Sequence, residues 1–344
     1  MKTIDLFAHI IPPRYLESVE RVLTSPDASE RVAGYRAWFY EDTSLWNLDE
    51  RWRALEPFDD YRQVLTLGVP PVEELGEPRV TTALAREAND ELAELCATYP
   101  DRFAGFAGSL PLNDVDASCA ELARAVRDLG AFGVQIHTNV NGVPLDAPAF
   151  EPLWEQVAAL DAVVWLHPTR SAAAWPDYPT ETRSRFDINW SIGWPYETSV
   201  AMARLVYSGH LERYPGLRIV THHAGGMVPH LSGRLVIPPE LDGKEEVERN
   251  LSRDVLDYFR MFFADTAVFG APHALRCALD FFGVGKLVFG SDTPLGGRPL
   301  AGEQRATAVI RETTGDVESL GLPDEDERAI FHGNAEALLG LVPA

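Results

Sequence analysis

The sequence predicts an α/β chain folded as a (β/α)8 TIM barrel with long aromatic loops at its C-terminal face. Three observations predict it. Eight short apolar runs, near 3–9, 63–67, 103–107, 132–137, 162–167, 217–222, 260–265 and 286–290, recur along the 344 residues. Helical patterns separate them, as in repeated βα units. Several runs end in His or Asp, and a barrel gathers its chemistry at the carboxyl ends of its strands. The length suits a single domain over 1–344.

In the first run, Asp5, Phe7 and His9 alternate with Ile4, Leu6 and Ala8, so His9 ends a strand on the Asp5 and Phe7 side. Pro12 and Pro13 break the chain, and 23–48 reads as an irregular excursion with Trp38, Phe39, Tyr40 and Trp46. Such a segment serves as a lid or pocket wall, or packs over the barrel rim. Residues 48–55 read as a short helix before the second strand, and 81–99 as a longer one with Leu84, Ala88, Leu92 and Leu95 on one face and Pro100 as its stop. Asp114 or Asp116 caps the next helix, which ends at Gly130. If Val134 and Ile136 face the helices, Gln135 and His137 face the barrel interior. After a helix near 149–160, the fifth strand closes on Trp165-Leu166-His167-Pro168.

The second excursion, 169–198, carries Trp175, Tyr178, Trp190, Trp194 and Tyr196. An aromatic loop at a barrel mouth suits a flat, partly apolar ligand, and Trp194 is a candidate contact for it. A helix near 197–208 ends at Gly209; the sixth strand runs into His222 and His223, and the eighth into Gly290-Ser291-Asp292. Residues 237–254 read as an exposed loop and helix.

Composition narrows the partners. Thirty basic against fifty-two acidic residues give a formal charge of −22, which argues against nucleic acid and anionic membrane. The same field opposes a carboxylate substrate at long range, so such a substrate needs a local cation. The apolar runs are too short to span a membrane, and no secretory pattern opens the chain, so a cytoplasmic protein is expected. Cys96, Cys119 and Cys277 are odd in number and far apart, which points to reduced thiols.

The imidazoles of His9, His167 and His223 with the Asp292 carboxylate make a donor set for one divalent ion, zinc first and manganese second. Such an ion lowers the pKa of bound water or holds substrate oxygens as a Lewis acid. Each residue alone is weak evidence, because a lone buried His is more often a hydrogen-bonded core group. His222 reads as a packing residue, His210, His230, His273 and His332 as structural, and Asp265 as holding a loop. Arg170 and Arg298, after the fifth and eighth strands, are candidate carboxylate clamps, with Arg51 a further one.

Five motifs stand in order: Ile4-Asp5-Leu6-Phe7-Ala8-His9 with Pro12, Pro100-Asp101-Arg102-Phe103 with Gly105, Trp165-Leu166-His167-Pro168, His223-Ala224-Gly225-Gly226 with Pro229, and Gly290-Ser291-Asp292-Thr293-Pro294. On these the chain resembles, over nearly its full length, the amidohydrolase-related decarboxylases, which include the aminocarboxymuconate semialdehyde and resorcylate decarboxylases. The resemblance implies a (β/α)8 barrel, a mononuclear metal at strand ends one, five and eight, and a proton-moving histidine on strand six. His9, His167 and Asp292 then look like metal ligands and His223 like the acid/base residue. Phe7 departs from the family's first strand, which reads Asp-x-His-x-His, because phenylalanine cannot ligate. Three protein ligands still match an open catalytic site in number. Either His137 supplies the missing nitrogen or binds substrate, or the ion is held more weakly, or the site works without metal.

The expected function is a metal-dependent lyase that removes carbon dioxide without oxidation from a small aromatic or unsaturated carboxylic acid. In it His223 and Asp292 are catalytic, and His137, Arg170, Arg298 and Trp194 contact substrate. A metal-dependent hydrolase or hydratase of a small cyclic substrate, and a metal-free or ligand-binding barrel, remain as other readings. The resemblance favours a homodimer or larger homo-oligomer.

Overall fold

The computed structural model describes residues 1–26, 28–40, 42–170, 176–236, 242–296 and 300–341. Seven strands lie side by side in chain order: β1 (Thr3–Ile10), β2 (Tyr61–Leu67), β3 (Phe103–Ser109), β4 (Gly133–His137), β5 (Val163–His167), β6 (Arg218–Thr221) and β7 (Phe263–Ala264). Every neighbouring pair is parallel. Parallel strands are covered on both faces, which explains why β1, β4 and β5 are buried along their whole length. In register, His9 pairs with Thr66 and His137 with His167, so the carboxyl ends fall in line.

The expected eighth strand over 286–290 does not form. Val284–Lys286 is a short 3-10 turn, and the segment after it makes isolated parallel bridges, Ala264 to Leu287 and Ala8 to Thr293. The bonds are nonetheless made on both sides. Val288 N donates to Ala264 O at 3.0 Å, Leu6 N to Phe289 O at 2.9 Å, His9 N to Thr293 O at 2.7 Å and Asp292 N to Phe7 O at 3.0 Å. Phe289 N turns away to Ile330 O, and Asp292 takes a left-handed φ of 67°, which together interrupt the ladder. Gly290 is required here by closeness: a Cβ would stand 2.9 Å from the Cβ of Asp265 and 3.4 Å from Cδ2 of Phe7.

Strict alternation in β1 fails as well, because its register with β2 shifts between Asp5 and Ala8. The irregularity is filled by the Asp5 carboxylate. It accepts Phe7 N at 3.1 Å and Ser291 N at 2.9 Å, and the hydroxyls of Tyr61 and Ser291. Burial raises the Asp5 pKa to about 6, against the pull of those hydrogen bonds. Asp5 thereby ties the strand that carries His9 to the turn that carries Asp292.

Helix α1 (Pro13–Leu23) fills a stretch read only as a chain break, with Pro13 at its first position, while α2 (Leu48–Leu55), α3 (Pro78–Thr98), α4 (Val115–Arg127), α5 (Glu151–Ala159) and α6 (Trp194–Tyr207) occupy the intervals read as helical. α3 buries Leu84, Ala85, Ala88, Leu92 and Leu95, and Asp114 caps α4 by accepting Ala117 N at 3.0 Å. The 23–48 segment is not irregular. It contains short helices at Glu30–Gly34, Arg36–Phe39 and Thr43–Leu45, two of them capped by Ser29 and Asp42, and it packs Tyr35, Phe39 and Leu45 on Ile11, Tyr15 and Leu67. The segment packs on the rim, and its Tyr35 also lines a small pocket with Arg170 and Trp194. In the second excursion a wide turn at Asn189–Gly193 leads directly into α6, so Trp194 is a helix residue. Trp175 and the side chain of Trp38 lie outside the described residues. Among the described residues no helix is long and apolar enough to cross a membrane, and the three cysteines are free.

Candidate metal centre and its cleft

His9 ends β1 fully buried, with its Nδ1 2.9 Å from the Thr66 hydroxyl on the neighbouring strand. His167 ends β5 with Nδ1 2.8 Å from the carbonyl of Pro168, to which it donates. Each imidazole thus engages Nδ1 and leaves Nε2 for the interior. Asp292, held at its positive φ, brings Oδ1 to 3.0 Å from His9 Nε2. Outside their contacts with one another and with His222, neither atom has a hydrogen-bond partner, although both are buried. Buried polar atoms without partners are costly and uncommon, and a shared cation is the ordinary reason for several to converge. Burial, then the neighbouring His9, His222 and His137, holds the His167 pKa well below its usual value. Burial would raise Asp292, but His222 and His9 outweigh it and hold its carboxyl well below the carboxylate range. A neutral imidazole beside an ionised carboxylate is the protonation pattern that a divalent ion requires.

His222 corrects the reading of it as a packing residue. Its Nε2 lies 3.2 Å from the same Asp292 Oδ1 and has no hydrogen-bond partner outside that contact. Its Nδ1 donates to Oδ2 of Asp265 in a very short contact. Burial lowers the His222 pKa, but Asp265 and Asp292 overcome that and raise it to about 9. Asp265 does hold a loop, since its Oδ1 accepts Ala224 N at 2.9 Å and Ala267 N at 3.2 Å, and it also orients this ring. Alternation along β6 gave one inward histidine. The backbone defeats that count, because His223 and Ala224 both take a φ of 55°, and the two imidazoles stack at 3.8 Å.

Among the described residues, two groups have ligand atoms all within 4.8 Å of one another: His9 with His167 and His222, and His222 with His223 and Asp292. His223 lies at the edge of this cluster. Its Nδ1 donates to Ala267 O at 3.2 Å, and burial, then His222, lowers its pKa to about 4. The ring forms one wall of an open cleft of about 620 Å³ whose other walls include Trp190, Pro195, Val268 and Phe269. Trp190 and Phe269 stack at 5.8 Å.

His137 belongs to neither group. Its ring centroid is 5.2 Å from that of His167, its Nε2 is buried without a partner, and burial, then His9, lowers its pKa to about 3. It borders a small cavity with Gln135, Ser109 and Glu73, the last a residue that no sequence pattern singled out. Glu73 is buried in the Val72–Glu74 turn after β2, and burial, with Glu74 adding, raises its pKa from 4.5 to about 8. The folded state therefore keeps a proton that the unfolded state releases near 4.5. Its contribution is full below that pH and is lost as pH rises through 8. Glu73→Gln is expected to remove a loss of roughly 4 kcal/mol between pH 5 and pH 9. Urea unfolding of both proteins at the two pH values measures it, and parallel slopes would reject it.

The remaining candidates divide. Trp194 is buried at the start of α6, with its ring 5.5 Å from that of His167. Arg170 pairs with Glu197 at 3.2 Å, so its charge is already partly compensated. Arg51 is not an open clamp. It is buried, and donates to Gln63 Oε1 and to the carbonyl of His9, both at 2.9 Å, so it steadies the strand end. Arg298 lies outside the described residues.

Residues 53–341 match the family model described as amidohydrolase. The chain is 28% identical to the 2-amino-3-carboxymuconate-6-semialdehyde decarboxylase of Dictyostelium discoideum, over 99% of this chain and 92% of that protein. It is 31% identical to the gamma-resorcylate decarboxylase of Rhodococcus jostii, over 86% and 93%. A crystal structure of dihydroxybenzoic acid decarboxylase from Polaromonas sp., with bound manganese and the inhibitor 2-nitroresorcinol, superposes with a TM-score of 0.77 at 25% identity, covering 100% of this chain and 98% of that one.

Proposed function

The chain belongs to the amidohydrolase family, and from that premise we propose that it is a metal-dependent, non-oxidative decarboxylase of a small aromatic or unsaturated carboxylic acid. The observation that carries this reading is the buried approach of His9 Nε2 to Asp292 Oδ1 at 3.0 Å, with neither atom hydrogen-bonded outside the cluster of His9, His222 and Asp292. In this reading 1–344 is one domain, the segment after Val284–Lys286 serves as the eighth stave of the barrel, and His9, His167 and Asp292 hold zinc, or manganese in its place. A divalent ion there supplies Lewis-acid attraction for substrate oxygens and the local cation that a net charge of −22 otherwise denies a carboxylate.

The protein's own groups do the rest. The ring of the substrate lies against Trp190 and Phe269, beside Trp194, with His137 and Arg170 as further contacts. His223, with Nδ1 committed to Ala267 O, has Nε2 free to exchange a proton. It takes that proton from a substrate hydroxyl or water and delivers it to the carbon that bears the carboxylate. The carbon–carboxylate bond then breaks, its electron pair stays with the substrate carbon, and carbon dioxide leaves.

Metal removal tests the reading. Dialysis against a chelator is expected to abolish carbon dioxide release from a panel of hydroxybenzoates and unsaturated amino acids bearing a carboxylate, and manganese or zinc to restore it. A protein holding one metal per chain that releases none from any of them would end the proposal. The free cysteines support a cytoplasmic location. A homodimer or larger assembly is part of the same reading; exposed Phe186, Ile192 and Tyr196 provide apolar surface for it.

A further inference from the structure

We propose that His222 is a fourth metal-binding residue of this centre, supplying the imidazole that Phe7 cannot. The inference rests on the metal-dependent reading above and concerns which side chains hold the ion. His222 is the one residue common to both groups of convergent ligand atoms. Its Nε2 and that of His9 stand 3.2 and 3.0 Å from one carboxylate oxygen, Asp292 Oδ1. Donors bonded to one ion at about 2.1 Å, with angles near 90–110°, lie about 3.0–3.4 Å apart, so these separations are those of atoms sharing a cation. None of the three atoms has a hydrogen-bond partner outside these mutual contacts, so the whole set is available to an ion.

The surroundings of the ring fit the same role. Asp265 accepts from Nδ1 and is itself fixed by two backbone N–H groups, so Nε2 is the nitrogen the ring presents to an ion, which displaces any proton there on binding. A carboxylate behind an imidazole is the usual orienting partner of a ligating histidine. Phe7 lies flat on His222 at 4.0 Å, with an interplanar angle of 13°. The residue that departs from the ligand pattern is thus the surface on which the replacement rests. Gly290 permits this by admitting both Phe7 and Asp265 beside its own backbone. His137, the other candidate for the missing nitrogen, is in neither convergent group. Four protein donors would close a tetrahedral site, so the arrangement favours an ion that accepts five or six ligands and keeps positions for substrate oxygens.

The full-length protein loaded with cobalt(II) gives a readout independent of turnover. Proton NMR is expected to show three exchangeable, paramagnetically shifted imidazole N–H signals, from His9, His167 and His222. His222→Gln, which keeps side-chain bulk, is expected to lower manganese affinity in chelator competition by at least about 100-fold, and His137→Ala to leave it within about threefold. Two N–H signals, or a His222→Gln protein that binds as tightly as its parent, would overturn the proposal, and so would a parent that binds no metal. If the variant fails to fold, the signal count in the parent decides alone. Three signals without carbon dioxide release would remove the decarboxylase reading and leave this one; two signals with release would do the reverse.

Discussion

Asp292→Asn is expected to lower kcat/KM by at least about 10³-fold, equivalent to roughly 4 kcal/mol, and to leave well under one metal per chain. The substitution isolates charge. Asn tolerates a left-handed backbone about as well as Asp, so the φ of 67° at this position and the bond from its N–H to Phe7 O survive. The amide also keeps the side chain's shape. It does not keep the anion that faces His9 and His222 at 3.0 and 3.2 Å. Asp265 cannot substitute, because both its oxygens are taken by His222 and by the N–H groups of Ala224 and Ala267. Metal analysis beside steady-state kinetics makes the test. A variant with near-parental kcat/KM and full metal would show that Asp292 does not hold the ion.

How much of this was legible in the sequence depends on whether the backbone kept its period. Where it did, reading was straightforward: β2 to β6 and the helices between them follow from apolar runs, caps and stops, and His9 and His167 fall at strand ends by counting. Where the chain leaves regular geometry, counting misled. Positive φ at His223 and Ala224 turns two successive imidazoles to the same side, which hid His222 behind its neighbour. Its signal was Phe7: a first strand lacking a ligand asks which other nitrogen stands close, and only tertiary contact answers. The eighth run was apolar enough to read as a strand, yet its bonds alternate between β1, β7 and the carbonyl of Ile330. Glu73 was illegible for a different reason. Nothing local to the Val72–Glu74 turn reveals that β4 presents Gln135 and His137 across a small cavity from it.

His223→Asn is expected to lower kcat by about 10²- to 10⁴-fold while metal content stays at that of the parent. Asn suits the left-handed φ of 55° at this position better than Ala would, so the His223–Gly225 turn and the Asp265 hydrogen bonds beneath it are preserved. What disappears is the nitrogen able to carry a proton between the cleft and the substrate carbon. Because the proton must still arrive from solvent, the slow residual reaction in D2O is expected to give product deuterated at the carbon that lost its carboxylate, with a larger solvent isotope effect on kcat than in the parent. KM should change little, since the aromatic walls at Trp190 and Phe269 are untouched. The two possible failures point in different directions. A kcat within about tenfold of the parent would assign the proton to another group, and His137 is the other neutral imidazole beside the centre. A fall in kcat matched by loss of metal would instead move His223 into the ligand set, as its convergence with His222 and Asp292 allows.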